Sequence, residues 1–166
     1  MSVIRPRARR LFTSLILAAG VIGTGLGRPA VASESIDFSQ SFTLSQACLS
    51  SFDAFGGYWS FDGNFLLDTS LYFDYWSDCV TVNVLGYADA RGLNYRLGTS
   101  ARMEIFFYKS VNGYFDPVDG VLRAKVPFWI YLRGAGGGWV PAQMRLAIYQ
   151  EGAQISGVTI GSFYDY

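Results

Sequence analysis

The stretch LRAKVPFWIYL, residues 122–132, decides the fold. Leu122, Ala124, Val126, Phe128, Ile130 and Leu132 take every second position, with Arg123 and Lys125 between them. Successive side chains of a strand point to opposite faces, so this alternation predicts one buried face and one wet face. Pro127 interrupts the run and predicts an edge strand or a bulge, because proline donates nothing to a ladder.

The same period of two recurs on both sides of this stretch. Ile36, Phe38, Phe42 and Leu44 alternate with polar residues, and Leu71, Phe73 and Tyr75 alternate with Tyr72, Asp74 and Trp76. Val80, Val82 and Val84 share a face, as do Met103, Ile105 and Phe107, with Glu104, Phe106 and Tyr108 opposite. Met144, Leu146 and Ile148 form a further strand, and ISGVTIGSFYDY reads as the last one. Asp89-Ala90-Arg91-Gly92, Asn112-Gly113 and Asp116-Pro117-Val118-Asp119-Gly120 read as turns, Asn112-Gly113 being the strongest hairpin signal. GAGGGW, residues 134–139, reads as a hairpin tip, because the strand-like VPAQMRLAIY after it supplies no helix N-terminus for a phosphate. No amphipathic helical repeat appears. The expectation is all-β: a single-domain β-sandwich of eight or nine short antiparallel strands over residues 33–166.

Residues 1–32 read as a signal peptide. Arg5, Arg7, Arg9 and Arg10 precede the apolar run Leu11–Gly27, and Ala30-Val31-Ala32 predicts cleavage before Ser33. Arg9-Arg10 also fits a twin-arginine signal. The expected location is the periplasm or the medium, with no stable transmembrane segment after cleavage. Of 13 basic residues, eight remain in the 134-residue mature chain against 13 acidic ones, a net charge of −5. Acidity argues against nucleic acid, whose phosphates need clustered Lys and Arg. The charge is uneven: between Ser33 and Ala90 there are eight acids and no base, and all eight bases lie from Arg91 onward. Solubility explains this, and so does a head-to-tail contact between unlike faces.

Cys48 and Cys79 are the only cysteines, and in an exported chain an even pair predicts a disulfide. Its loop closure would contribute about 3–4 kcal/mol. The chain contains no His, which excludes Ser-His-Asp and Cys-His catalysis and leaves zinc poorly served. A carboxylate-pair glycosidase drawing on Asp62, Asp68 or Asp74 is the residual enzymatic reading. No cofactor is expected. Asp62-Gly63-Asn64 with Asp68 offers oxygens for calcium, but lacks the twelve-residue loop spacing and reads equally as Asx turns.

Between Phe52 and Cys79, ten aromatic residues interleave with five aspartates and no base. They fill a core, or they make a platform of flat apolar rings beside carboxylates. The second reading gives a non-enzymatic binding module whose ligand is a glycan or another surface protein. Its contact residues would be Tyr58, Trp59, Asp62, Asp68, Tyr72, Asp74 and Trp76, joined by Trp139 from the glycine loop.

CLSSFDAFGGY, residues 48–58, resembles the opening of the spore coat protein U domain, a fimbrial-subunit sandwich of secreted bacterial proteins, through Cys48, Phe55, Gly56 and Tyr58. Cys79 comes sooner than that family's second cysteine, and GSFYDY stands where a further strand is expected. The resemblance implies a pilus- or coat-like structural subunit that self-associates. Val158, Ile160, Tyr164 and Tyr166 on one strand face suggest a third reading, a small outer-membrane barrel.

Overall fold

The computed structural model of the chain describes residues 35–74 and 79–162. The proposed signal peptide, Tyr75–Asp78 (with Trp76) and the terminal Tyr164 and Tyr166 lie outside the described residues. Nine strands follow in order: β1 Ser35–Thr43, β2 Ser51–Ala54, β3 Gly57–Asp62, β4 Asn64–Asp74, β5 Cys79–Asn94, β6 Thr99–Phe115, β7 Leu122–Arg133, β8 Gly138–Tyr149 and β9 Gly152–Ile160. No helix occurs among the described residues.

All nine strands belong to one antiparallel sheet, ordered β1-β4-β5-β6-β7-β8-β9, with β3 also on β5 and β2 on β3. The expected sandwich of two packed sheets is corrected to a single sheet that curls into a half-barrel. β3 and β4 lie end to end along one edge of β5 in an unbroken register, from Trp59↔Asn94 to Asp74↔Cys79. Gly63 joins them at φ +151°, a conformation side chains disfavour, so the ribbon bends there without losing step. β1 and β2 sit end to end on that ribbon's outer edge. Curling brings the two sheet edges together: the amide of Ala153, in β9, donates to Oε1 of Gln40, in β1, at 2.8 Å.

The concave face holds the core. In β7, Leu122, Ala124, Val126, Phe128, Ile130 and Leu132 are all buried, as the alternation predicts. Trp59, Phe61, Phe65, Met103 and Met144 join them. Burying a residue of this kind stabilises by about 1.5–3 kcal/mol, and one continuous cluster collects these gains.

The β6–β7 ladder is interrupted. It pairs Glu104 with Tyr131, then resumes at Tyr114↔Arg123 two residues out of step. Pro127 falls within this interval, where its missing N–H costs no ladder bond to β6, so the bulge expected at the proline is present. Phe107 and Phe128 stack inside the gap, ring centroids 4.8 Å apart.

Two expected turns are corrected. Asn112 and Gly113 lie within β6, opposite Thr81 and Val80. A Cβ on Gly113 would meet Leu122 and Val82 at 3.0 Å, so close packing rather than a turn explains the glycine. Asp89 to Gly92 lie within β5, where a Cβ on Gly92 would meet the Ser60 carbonyl at 1.8 Å. The chain reverses instead at residues 95–98, while the turn expected at Asp116–Gly120 is present between β6 and β7.

The expected disulfide is also corrected. Cys48 sits in the turn between β1 and β2, beside the bend at Gly63, while Cys79 opposes Asp74 at the far end of β4. Ten residues of strand separate those ends, about 30 Å at 3.3 Å each. A bridge needs Cα atoms within about 7 Å. No disulfide joins them.

Candidate functional site

The convex face of β5 to β8 carries an aromatic field. Residues of equal phase on neighbouring strands form rows across the sheet. Asp89, Glu104, Tyr131 and Trp139 make one row. Tyr87 and Phe106 stand opposite each other in the next, and Leu85 opposes Tyr108 beyond them. Trp129, paired with Pro141, faces the same side from β7. Phe106 is 73% exposed, Tyr108 63% and Trp139 61%, values that mark a wet face carrying rings. Tyr131 and Trp139 pack with centroids 4.7 Å apart, and the Arg133 guanidinium lies 5.5 Å from the Tyr131 ring. These contacts hold Trp139 against the sheet.

Where the β6–β7 ladder is interrupted, an open groove of about 620 Å³ forms. Phe106, Tyr108, Lys109, Trp129 and Trp139 rim it, and the stacked Phe107 and Phe128 form its floor. Sequence causes this locally: the register shift around Pro127 parts the strands, and the rings underneath fill the space. Large planar groups on a sheet lose little freedom on binding, so such a groove suits a flat, partly apolar ligand.

The residues predicted as a site are not gathered in one place. Trp59 is fully buried, and its indole N–H donates to the Ala54 carbonyl at 2.9 Å; it is a core residue, which corrects its placement on a binding face. Tyr58 is half-exposed at the end of the half-barrel and packs on Tyr95 at 5.7 Å. Asp62 ends β3, opposite Arg91. Asp68, Tyr72 and Asp74 stand on the convex face of β4, with Asp68 accepting the Ser39 hydroxyl at 2.6 Å. Trp139, on β8, is four strands away from them, about 19 Å at the usual strand spacing. Among the described residues of that set, only Trp139 lines the groove. No group of three or more His, Cys, Asp or Glu is arranged to hold a metal among the described residues.

Sequence reasoning missed Phe106, Tyr108, Trp129 and Tyr131. Their signal was phase: each ring occupies the strand positions shared with Glu104, Lys125 and Arg133, where the alternation places solvent.

Beside the acidic row stands a basic one. Arg91 opposes Arg102, and Arg102 opposes Arg133, so three guanidinium groups cross three neighbouring strands. Arg102 Nε donates to Asp89 at 2.6 Å while Nη2 pairs with the same carboxylate. That hydrogen bond holds the Asp89 carboxyl below its ordinary value and raises the Arg102 guanidinium. Glu104 takes Arg133 at 3.1 Å. With Ser100 and Gly134 the arginines line a second hollow of about 470 Å³. No protein-family model, curated protein or solved structure matches this chain.

Proposed function

We propose that this chain is an exported, non-enzymatic binding module that holds a glycan along the aromatic groove between β6, β7 and β8. The observation that carries the reading is the set of four exposed rings, Phe106, Tyr108, Trp129 and Trp139, around one open groove. Ring faces pack against the apolar faces of sugars, and an open groove admits a chain more readily than an enclosed cavity does. No carboxylate lines the groove among the described residues, which favours holding over two-carboxylate hydrolysis. The basic n-region, apolar run and A-x-A site within residues 5–32 support export.

The competing architectures fit less well. A lipid-facing barrel is apolar outside and polar within, whereas here the concave face is apolar and the convex face mixes its rings with charged residues such as Asp68, Asp89, Arg102 and Glu104. A fibre built by strand addition needs an accessible sheet edge, and the contact from Gln40 to Ala153 draws the two edges, β1 and β9, towards each other and narrows that access.

Electrophoresis of the mature protein through gels containing dissolved polysaccharides, with intrinsic fluorescence as a second readout, tests the proposal. A retarding polysaccharide is expected, and Trp139→Ala and Trp129→Ala should each weaken retardation about tenfold while leaving the melting temperature within about 2 °C. Unchanged retardation in both variants would place the ligand elsewhere. No retardation by any neutral or acidic polysaccharide would refute the glycan reading.

A further inference from the structure

We infer that the glycan is acidic, and that Arg91, Arg102 and Arg133 bind the carboxylate or sulfate groups along it; this rests on the glycan reading of the aromatic groove. Like charges placed directly opposite on neighbouring strands destabilise a sheet, so three arginines in one row are an unfavourable arrangement for folding alone. Asp62, opposite Arg91 at the head of the row, and Asp89 and Glu104 in the adjacent row offset this repulsion from the flanks. Arg102 engages Asp89 through two nitrogens and approaches Glu104 at 3.6 Å, and Arg133 takes Glu104. The Arg91 guanidinium makes no hydrogen bond among the described residues; Asp62 stands opposite it, and it acts on Asp89 through space. Asp62, Asp89 and Glu104 match the three guanidinium groups in number, but the hollow itself is lined by the arginines, Ser100, Gly92, Ala101 and Gly134, with no carboxylate among the described residues.

The chemistry of that hollow suits an oxyanion. A guanidinium presents its donors as a planar fork that matches a carboxylate or sulfate, and Ser100 adds a hydroxyl. The hollow also continues the aromatic field. Arg133 lies over Tyr131, and Tyr131 packs on Trp139 at the groove rim. Arg102 and Phe106 are four residues apart on one strand, about 13 Å. A sugar chain lying along β6 and β7 would place rings on the aromatics and a charged substituent on the arginines. The rest of the mature chain is acidic, so this concentration of positive charge selects where on the surface a polyanion settles.

The test compares polygalacturonate, its methyl-esterified form and dextran sulfate by fluorescence titration of the mature protein at low and high salt. Polygalacturonate or dextran sulfate should bind at least tenfold more tightly than the methyl ester, and salt should erase the difference. Arg91→Gln and Arg133→Gln should each weaken the acidic chain about tenfold and leave the methyl ester unchanged, whereas Trp139→Ala weakens both. A purely structural Arg91 would lower the melting temperature on substitution; a ligand-binding one leaves it unchanged, since the attraction of Asp62 and the repulsion of Arg102 are lost together. Dextran sulfate binding alone identifies sulfate as the anionic group and upholds the inference. Equal binding of polygalacturonate and its ester would overturn the inference while leaving the glycan reading intact. Failure of all three chains would overturn the acidic inference, and the neutral gels would then decide the glycan reading separately.

Discussion

Gly86→Ala pits two effects of opposite sign against each other. Gly86 stands opposite Phe107 in the β5–β6 ladder and has no positive φ, so alanine suits its backbone. Restricting the unfolded chain would by itself stabilise by about 0.4–1 kcal/mol. The added Cβ, however, would sit 2.3 Å from two Phe107 ring carbons and 2.9 Å from Phe65 Cζ. Carbon atoms rest at about 3.5–4.0 Å, so the overlap exceeds 1 Å. Phe107 cannot simply tilt away, because Phe128 stacks on it at 4.8 Å and Phe65 lies at 6.4 Å. Overpacking of this kind costs about 1–3 kcal/mol, leaving a net loss of about 1–2 kcal/mol. In a domain of this size that lowers the midpoint by roughly 4–8 °C. Thermal and urea unfolding of Gly86→Ala, Phe107→Leu and the double variant measure it. Leucine removes the obstructing ring, so Gly86→Ala should cost under about 0.5 kcal/mol in that background. A Gly86→Ala protein as stable as the parent, or costs that simply add, would refute the reasoning.

Thr69 is 1% exposed in β4, and its hydroxyl has no hydrogen-bond partner among the described residues, so Thr69→Val should raise stability by about 1–2 kcal/mol in urea unfolding; a loss would mean the hydroxyl is satisfied. Dithiothreitol should leave the melting temperature of a protein spanning residues 33–166 unchanged, because no disulfide joins Cys48 and Cys79. A fall of roughly 10 °C would reveal a bridge of about 3 kcal/mol.

Strand existence was legible because burial on one face writes itself into every second residue, as from Leu122 to Leu132. Strand ends were less so. Asn112-Gly113 carries the chemistry of a tight turn, yet both residues continue a ladder because Leu122 and Val82 crowd Gly113. That pressure comes from distant residues and leaves no local mark. The choice between two sheets and one was hidden for the same reason, since alternation records which face is buried but not what covers it. Trp59 misled through composition: among so many aromatics, only its position in β3, in phase with Phe61, tells that it faces inward. The groove was legible in principle from Phe106, Tyr108, Trp129 and Tyr131 on the polar phase. The arginine row was not, because its alignment depends on registers among β5, β6 and β7 that no single stretch encodes.

The contact from Gln40 to Ala153 ties the start of the folded chain to its last strand, 113 positions later. That one side-chain amide acts as a clasp, since β1 and β9 share no ladder and remain the two borders of the sheet. Replacing Gln40 by alanine would undo the clasp, and both borders would then stand more open to a passing strand.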